Sequence, residues 1–121
     1  MQNRPSDREL QKKLEEAKKA LQLHAGLFAN ATKTVGELYD LDIGTEEVWE
    51  LVRELLEEIT PQDYAGGRPP QKSYEKMISE RELFAFCWWS TKLEKKMYLK
   101  FALKNDRYYY VSLHESRGKN E

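Results

Sequence analysis

The chain has 121 residues, which is enough for one hydrophobic core of moderate size but not for two independent domains. Hydrophobic residues make up 40% of it and aromatic residues 12%, so the mean hydropathy of -0.84 reflects a heavily charged surface and not a disordered chain. We therefore predict a single domain over residues 1–121, with frayed tails at 1–6 and 117–121.

The only cysteine, Cys87, lies inside an apolar run. A lone cysteine excludes an internal disulfide framework and a cysteine-based metal cluster, and it fits a reducing compartment. No basic-then-apolar leader opens the chain, and no apolar stretch approaches the roughly 20 residues that cross a bilayer. We expect a cytoplasmic protein that is neither exported nor embedded in a membrane.

The net charge of -1 hides a difference between the two halves of the chain. Residues 1–60 carry 8 Lys or Arg against 13 Asp or Glu, hence -5, whereas residues 61–121 carry 12 against 8, hence +4. A surplus of that size suits a phosphate-bearing ligand, although ordinary solvated charge explains it equally well. It is far weaker than the basic stripe of a dedicated DNA-binding domain, so no DNA binding is expected of this chain alone.

The first predicted element is a helix from about Asp7 to Gly26. Ser6 is a suitable N-cap, and acidic residues follow in the first turn. This helix has a narrow apolar stripe along one side. Such a stripe packs either on the chain's own core, which is the more frequent case, or on a partner protein. The stripe has alternating spacings of four and three and consists of Leu10, Leu14, Ala17, Leu21 and then Phe28.

A connector and a short second helix are predicted over residues 29–42, with Thr34 as a possible cap and with Val35, Leu38 and Tyr39 turned inward. The third predicted helix is capped by Thr45 and ends at Thr60-Pro61, because the residue before a proline is disfavoured in the helical region. Its core face recurs at i, i+3, i+4, i+7, i+8 and i+11 and consists of Val48, Leu51, Val52, Leu55, Leu56 and Ile59.

Beyond the third helix the pattern changes. Residues 61–74 hold glycines and prolines that regular elements do not tolerate, which predicts a long loop, and such loops in compact domains are usually functional or disordered. Strands are predicted at 83–89, buried on both faces, and at 97–104 and 108–114. The expected fold class is α+β, with N-terminal helices packed on a small C-terminal antiparallel β-sheet.

The turn between the last two predicted strands decides which side chains share a face. A two-residue turn at 105–106 would place Lys100 opposite Val111, which sends the apolar set of one strand to the wrong side. We therefore predict a three-residue turn at 105–107, which places Tyr98 across from His114 and Lys100 across from Ser112. The polar face then consists of Tyr98, Lys100, Ala102, Tyr108, Tyr110, Ser112 and His114.

This predicted face gathers the groups that RNA cleavage needs. Attack by a ribose 2′-hydroxyl on the adjacent phosphorus requires a base, an acid and a cation for the phosphorane charge. An imidazole titrates near neutrality, so His114 can act as base or acid, while Lys100 holds the phosphate and Tyr98 donates a hydrogen bond or a proton. Ser112 and Tyr110 are candidate substrate-binding residues, and no metal or other cofactor is required. Exposed sheet faces also carry such residues for solubility alone, and that interpretation stays open.

Four other residues are of types that can take part in catalysis or in base stacking. His24 falls on the apolar stripe of the first helix and is expected to be a boundary residue. Trp88 and Trp89 indicate a core more often than a base-stacking platform, although neighbouring strand residues point to opposite faces. Ser90 has no histidine and acid at a recognisable spacing, so a serine hydrolase is not supported.

The order of these elements resembles the MqsR group of messenger-RNA endoribonuclease toxins, which have a RelE-like fold. The likeness spans about residues 8–116 and rests on TVGELYDL at 34–41, the third helix, TPQDY at 60–64, the strand at 83–88, MYLKF at 97–101 and VSLHE at 111–115. It implies a hydrolase that binds and cleaves RNA and is restrained by a cognate antitoxin protein. Tyr98 then matches the family's active-site tyrosine, and His114 stands where several members have a catalytic lysine.

The resemblance adds Tyr64 and Arg68 as candidate substrate-binding residues, because they lie in and after the Asp63-Tyr64 motif. The chain also departs from the best-known branch, since Ala65 replaces a lysine after Tyr64 and the stretch 84–86 lacks a glutamine. The competing hypothesis is a non-catalytic RelE-like interaction or inhibitor module that docks through its N-terminal amphipathic helix.

Overall fold

The computed structural model describes residues 4–65 and 69–117, in which three helices and a five-stranded mixed sheet form an α+β fold. The sheet order is β1-β5-β4-β3-β2, with β1 parallel to β5 and the other neighbours antiparallel. The predicted α+β class, with helices first and the sheet C-terminal, is confirmed, but the sheet is mixed and not purely antiparallel, because β1 pairs with β5 in the parallel direction. The elements are α1 (Asp7–Leu23), β1 (Leu27–Phe28), α2 (Ala31–Leu41), α3 (Val48–Glu58), β2 (Gln71–Lys72), β3 (Glu82–Ser90), β4 (Lys95–Lys104) and β5 (Arg107–Glu115).

The first helix begins and packs as predicted. Ser6 and Glu9 form a capping box, in which the Glu9 N–H donates to Ser6 Oγ at 3.1 Å. The helix ends at Leu23, and His24 is an exposed C-cap residue. The stripe residues Leu10, Leu14, Ala17 and Leu21 are buried in the core between the helices and the sheet. Because the stripe faces the chain's own core, it does not present a docking surface to a partner.

The N-terminal residues that the structure describes are tied to the rest of the chain. The Arg4 guanidinium donates to the carbonyl oxygen of Pro61 at 2.9 Å and pairs with the Asp7 carboxylate at 3.2 Å. These contacts connect residue 4 to residues 7 and 61, and the frayed tails at 1–6 and 117–121 stay a prediction. Within the two predicted tails, residues 1–3 and 118–121 lie outside the described residues, and residue 117 is exposed and outside the regular elements.

The second helix differs from its prediction in both cap and buried face. Asn30 is the N-cap instead of Thr34, and Val35 and Tyr39 are 60% and 84% exposed. The helix lies along the edge of β5 and buries Thr34, Glu37 and Leu38, so a polar residue takes part of the inward face. Apolar periodicity could not show this, because Glu37 is buried through hydrogen bonds to β5.

The third helix begins at Val48, after a turn that contains Thr45, and its N-cap residue Glu47 makes no side-chain capping bond. Its end before Thr60-Pro61 is confirmed. The segment predicted as one long loop holds a 3-10 turn at Pro61–Asp63 and the short edge strand β2. Both form where local hydrogen bonds are available, the 3-10 turn through a capping box from Thr60 and β2 by pairing with β3.

The sheet has one covered face and one partly open face. Phe84, Phe86 and Trp88 of β3 pack into the core under α1 and α3, whereas Ala85 and Cys87 are only half-buried. The prediction that β3 is buried on both faces is therefore wrong. The second face carries its own small core only near the β4–β5 turn, built on Ala29, Ile78, Ala102 and Tyr109. Towards the other end of the strands this face is open, and Trp89 is 62% exposed there.

The β4–β5 hairpin contains two registers joined by a bulge. Lys104 pairs with Arg107, so the turn has two residues, Asn105 and Asp106, with φ values of 52° and 62°. The predicted three-residue turn is wrong. The extra residue is Val111, which lies between the pair Phe101–Tyr110 and the pair Lys100–Ser112. Because the shift occurs before Ser112, the predicted pairs Lys100–Ser112 and Tyr98–His114 are nevertheless confirmed.

The bulge also reverses the alternation of β5, so the even-numbered residues face the helices before it and the other side of the sheet after it. Tyr108 and Tyr110 precede it and lie on the helix-covered face, each 1% exposed. Their predicted place beside Tyr98 and His114 is wrong, because the prediction put the extra residue in the turn.

Glu58, the last residue of α3, fixes the other end of the sheet. Its carboxylate accepts hydrogen bonds from Trp88 Nε1 at 3.0 Å, Ser90 Oγ at 2.7 Å and the Lys92 N–H at 2.9 Å. Partial burial alone would raise the pKa of Glu58, but these hydrogen bonds outweigh it and the pKa lies below the usual 4.5. Ser90 is thus a structural residue that links α3 to the β3–β4 turn.

No helix among residues 4–65 and 69–117 is both long and apolar enough to cross a membrane.

We predict that Asp106→Gly stabilises the protein by up to about 1 kcal/mol, because a residue with positive φ is less strained as glycine. Arg107→Gly is the matched control. Arg107 lies in β5 and its guanidinium donates to the Ala25 carbonyl oxygen at 3.1 Å, so this change should lower stability. Urea unfolding measures the stability of both variants. If Arg107→Gly were the more stable of the two, the result would favour a three-residue turn.

We predict that Glu58→Gln lowers the free energy of unfolding at neutral pH by about 1–2 kcal/mol, since an amide accepts these hydrogen bonds less well than a carboxylate. A depressed folded-state pKa contributes stability above the unfolded-state pKa, and that contribution is lost as the pH falls through the folded-state pKa. The difference between the wild type and Glu58→Gln in urea unfolding should therefore shrink on acidification. An equal difference at all pH values would contradict this role of the carboxylate.

Candidate functional site

The candidate site lies on the open part of the second sheet face, next to the N-terminal half of α2. Three cross-strand rows run across it: Ala85–Lys100–Ser112, then Cys87–Tyr98–His114, then Trp89–Lys96. Alternate residues of the same strands, such as Leu99 and Leu113, are buried on the helix-covered face, which confirms the face of each row. We define the open-face patch by six side chains: Lys33, Cys87, Tyr98, Lys100, Ser112 and His114.

The central pair of the patch is Tyr98 and His114. Their rings stack with centroids 5.0 Å apart and planes inclined by 14°. His114 is partly exposed and Tyr98 is 9% exposed, so the stack has one edge towards solvent. The predicted neighbourhood of phenol and imidazole on one face is confirmed.

The ring of His114 is oriented by its own strand. Nδ1 lies 2.8 Å from the carbonyl oxygen of Glu115. A carbonyl oxygen can only accept, so Nδ1 carries the proton, and in the neutral ring Nε2 is the basic nitrogen. The arrangement therefore presets the tautomer that a general base would need.

Two lysines lie near the pair, one in the next row of the sheet and one on α2. Lys100 Nζ lies 5.6 Å from the centre of the Tyr98 ring, which places a positive charge over the phenol face. Lys33 comes from α2, and its ammonium donates to Ser112 Oγ at 2.7 Å. Ser112 is 3% exposed, so its hydroxyl is a fixed partner for that ammonium.

Helix α2 is held in place by the buried carboxylate of Glu37. Glu37 Oε1 accepts from the Tyr110 hydroxyl at 2.7 Å and from the Leu113 N–H at 3.1 Å. Burial and the contact with Glu37 raise the pKa of Tyr110, so its hydroxyl keeps its proton and acts as a donor. Tyr110 thus supports the site from the covered face and is not brought together with Tyr98 and His114.

Tyr64 is likewise placed away from the patch. It lies beside β3 and packs in the helix-covered core, with its ring edge-to-face on Phe86 at 5.9 Å between centroids. The guanidinium of Arg4 lies 5.5 Å from the Tyr64 ring centre, and burial raises the pKa of the Tyr64 hydroxyl. Arg68, the other candidate from this segment, lies outside the described residues.

Cys87 and Lys33 were not predicted to lie on this face, and the sequence left open which of Trp88 and Trp89 points to it. Cys87 and Trp89 belong to it because β3 is half open, and a period-2 pattern predicts this place for them in a strand that is buried on one face only. Cys87 Sγ lies 3.6 Å from Ser116 Oγ, at the margin of the patch. Lys33 gave no local signal, since its place depends on how α2 lies along β5.

Strands β3 to β5 bring only positive charge to the open face. On β4 its lysines are Lys96 and Lys100, whereas the two acidic residues of β3 and β5, Glu82 and Glu115, share the alternation of the helix-covered residues. The three strands therefore contribute lysines and no carboxylate to this face. In the described ranges no three His, Cys, Asp or Glu side chains lie close enough together to hold a metal ion.

Compared with protein-family models, with curated proteins and with solved structures, the chain matches none. The likeness to the MqsR group therefore rests on the short passages quoted above.

Proposed function

We propose that the protein is an endoribonuclease toxin of a toxin-antitoxin system, which cleaves messenger RNA by acid-base catalysis on the open-face patch. The observation that carries the proposal is the stacked Tyr98–His114 pair with the Lys100 ammonium beside it. A base, a hydroxyl donor and a cation are the groups that 2′-hydroxyl attack on a phosphodiester requires. The resemblance to MqsR toxins supports the same reaction.

In the proposed reaction, His114 Nε2 removes the proton of the ribose 2′-hydroxyl. The 2′-oxygen forms a bond to the adjacent phosphorus while the bond from phosphorus to the 5′-oxygen breaks. Lys100 neutralises the charge that develops on the phosphoryl oxygens, and the Tyr98 hydroxyl gives a proton to the leaving 5′-oxygen. The products are a 2′,3′-cyclic phosphate and a 5′-hydroxyl end.

The surroundings of the patch also suit RNA. The lysines of β4 lie on the same face without strand carboxylates, which favours a polyanion. Trp89 is 62% exposed beside Lys96, and exposed aromatic rings next to cations stack unpaired bases. As part of this proposal, the protein acts in the cytoplasm and a cognate antitoxin restrains it.

The competing hypothesis of an interaction module has less support. It assigned the docking surface to the apolar stripe of α1, and that stripe is buried in the chain's own core. A non-catalytic RNA-binding protein would use the same lysines and Trp89, so catalysis has to be tested separately from binding.

We predict that the purified protein cuts single-stranded RNA in excess EDTA and that His114→Ala lowers the rate by about 100-fold or more, the usual effect of losing a general base. Denaturing gels and end-group analysis would follow the products. His24→Ala is the matched control, since His24 is exposed at the end of α1 and away from the patch. Intact RNA at high wild-type concentration would refute the proposed activity.

We also predict that expression of the wild-type chain without a partner arrests bacterial growth, because uncontrolled mRNA cleavage stops protein synthesis. His114→Ala should relieve the arrest at an equal level of folded protein, whereas His24→Ala should not. Arrest that survives His114→Ala would mean that the patch is not the toxic site.

For binding, we predict that a short 2′-O-methyl single-stranded RNA, which cannot undergo 2′-attack, quenches the fluorescence of Trp89. Trp89→Ala should weaken binding and Trp89→Phe should retain most of the affinity, because phenylalanine still offers a stacking surface. The other two tryptophans, Trp49 and Trp88, are half-buried and 2% exposed, so they provide the background signal. Equal affinity of all three proteins would exclude stacking on Trp89.

A further inference from the structure

Lys33 is the patch residue that no sequence pattern assigned to the site. It lies in the first turn of α2, where its N–H donates to the Asn30 side chain at 3.1 Å, so its backbone is fixed. Four residues later on the same side of the helix, Glu37 binds β5. These two anchors, on either side of Lys33, determine where its side chain reaches the sheet.

The ammonium of Lys33 is held at the sheet by a neutral group. It donates to Ser112 Oγ at 2.7 Å, and within the described part of the chain no ion pair involves Lys33. Ser112 lies directly opposite Lys100, whose Cβ is expected about 5 Å from that of Ser112. The Lys33 ammonium therefore ends on the row of the open face that contains Lys100.

Ammonium groups that lie on the same row of the sheet favour the binding of an anion between them. The Lys100 ammonium also leans towards Tyr98, so an anion held by both lysines would lie within reach of the Tyr98–His114 pair. A phosphodiester fits this arrangement, because its two non-bridging oxygens can each accept from one ammonium group.

We propose that Lys33 and Lys100 together bind the scissile phosphate of the RNA above the Ser112 hydroxyl. This assignment rests on the proposed function and adds to it a substrate-binding residue from outside the sheet. The phosphate then lies over the row of Lys100 and Ser112, one row away from His114, and the RNA backbone is oriented before the attack. Ser112 acts as a positioning residue, since it holds the Lys33 ammonium in place.

The test compares Lys33→Met, Lys33→Arg and the control Lys12→Met in binding a short 2′-O-methyl single-stranded RNA at several salt concentrations. Lys12 is exposed on α1, and its replacement changes the net charge equally. Lys33→Met should weaken binding several-fold and reduce the slope of log Kd against log salt by about 0.7, the value for one phosphate contact on a single strand. Lys33→Arg should keep the wild-type slope, and Lys12→Met should change neither quantity.

Cleavage of an unmodified RNA, followed in parallel, separates the two proposals. If the wild type cleaves RNA and Lys33→Met has the same Kd, salt slope and cleavage rate, the role of Lys33 is refuted and the ribonuclease proposal is retained. A wild type that does not cleave, with the slope still reduced in Lys33→Met, would overturn the ribonuclease and retain the phosphate site. Ser112→Ala should give a partial loss of the same kind, and urea unfolding of each variant confirms that it is folded.

Discussion

The bulge at Val111 decides which side chains of β5 face the helices and which face the open side of the sheet. Before it, Tyr108 and Tyr110 complete the aromatic core, with Tyr108 stacked on Phe101 at 5.2 Å between centroids. After it, Ser112 and His114 point to the opposite face. A regular strand could not serve both needs, because alternation would send one of the two sets to the wrong side.

The same stretch of β5 would have an unpaired edge beyond the two-residue strand β1. Glu37 replaces the missing strand at this edge, since its carboxylate accepts the outward N–H of Leu113 and the hydroxyl of Tyr110. This bond also holds α2 along β5, which brings Lys33 to Ser112. The position of the helix and the composition of the patch therefore have one common cause.

The uneven charge of the two halves has a partial structural explanation. The acidic surplus of residues 1–60 lies mainly on solvent-facing helix positions, as for Glu54 and Glu57, which pair with lysines across elements. The basic surplus of the second half includes the lysines of β4 on the open face. A total charge near zero thus conceals a face to which strands β3 to β5 contribute positive charge only.

Sequence alone determined the elements whose signals are local. Capping by Ser6, the stripe of α1, the core face of α3 and the period-2 strands all follow from neighbouring residues, because side chains three to four apart on a helix or two apart on a strand share a face. The pairs Tyr98–His114 and Lys100–Ser112 were predictable too, since apolar alternation fixed the register beyond the bulge.

The tertiary structure decided what depends on contacts between distant residues. A two-residue turn followed by a bulge gives the same strand register beyond the bulge as a three-residue turn, so the sequence did not distinguish the two. The predicted faces of Tyr108 and Tyr110, which lie between the turn and the bulge, were therefore wrong. The burial of Glu37 depends on β5, which lies 73 residues further along the chain at Tyr110. The exposure of one face of β3 likewise depends on how much of that face the second small core covers. The composition of the strand itself does not indicate this.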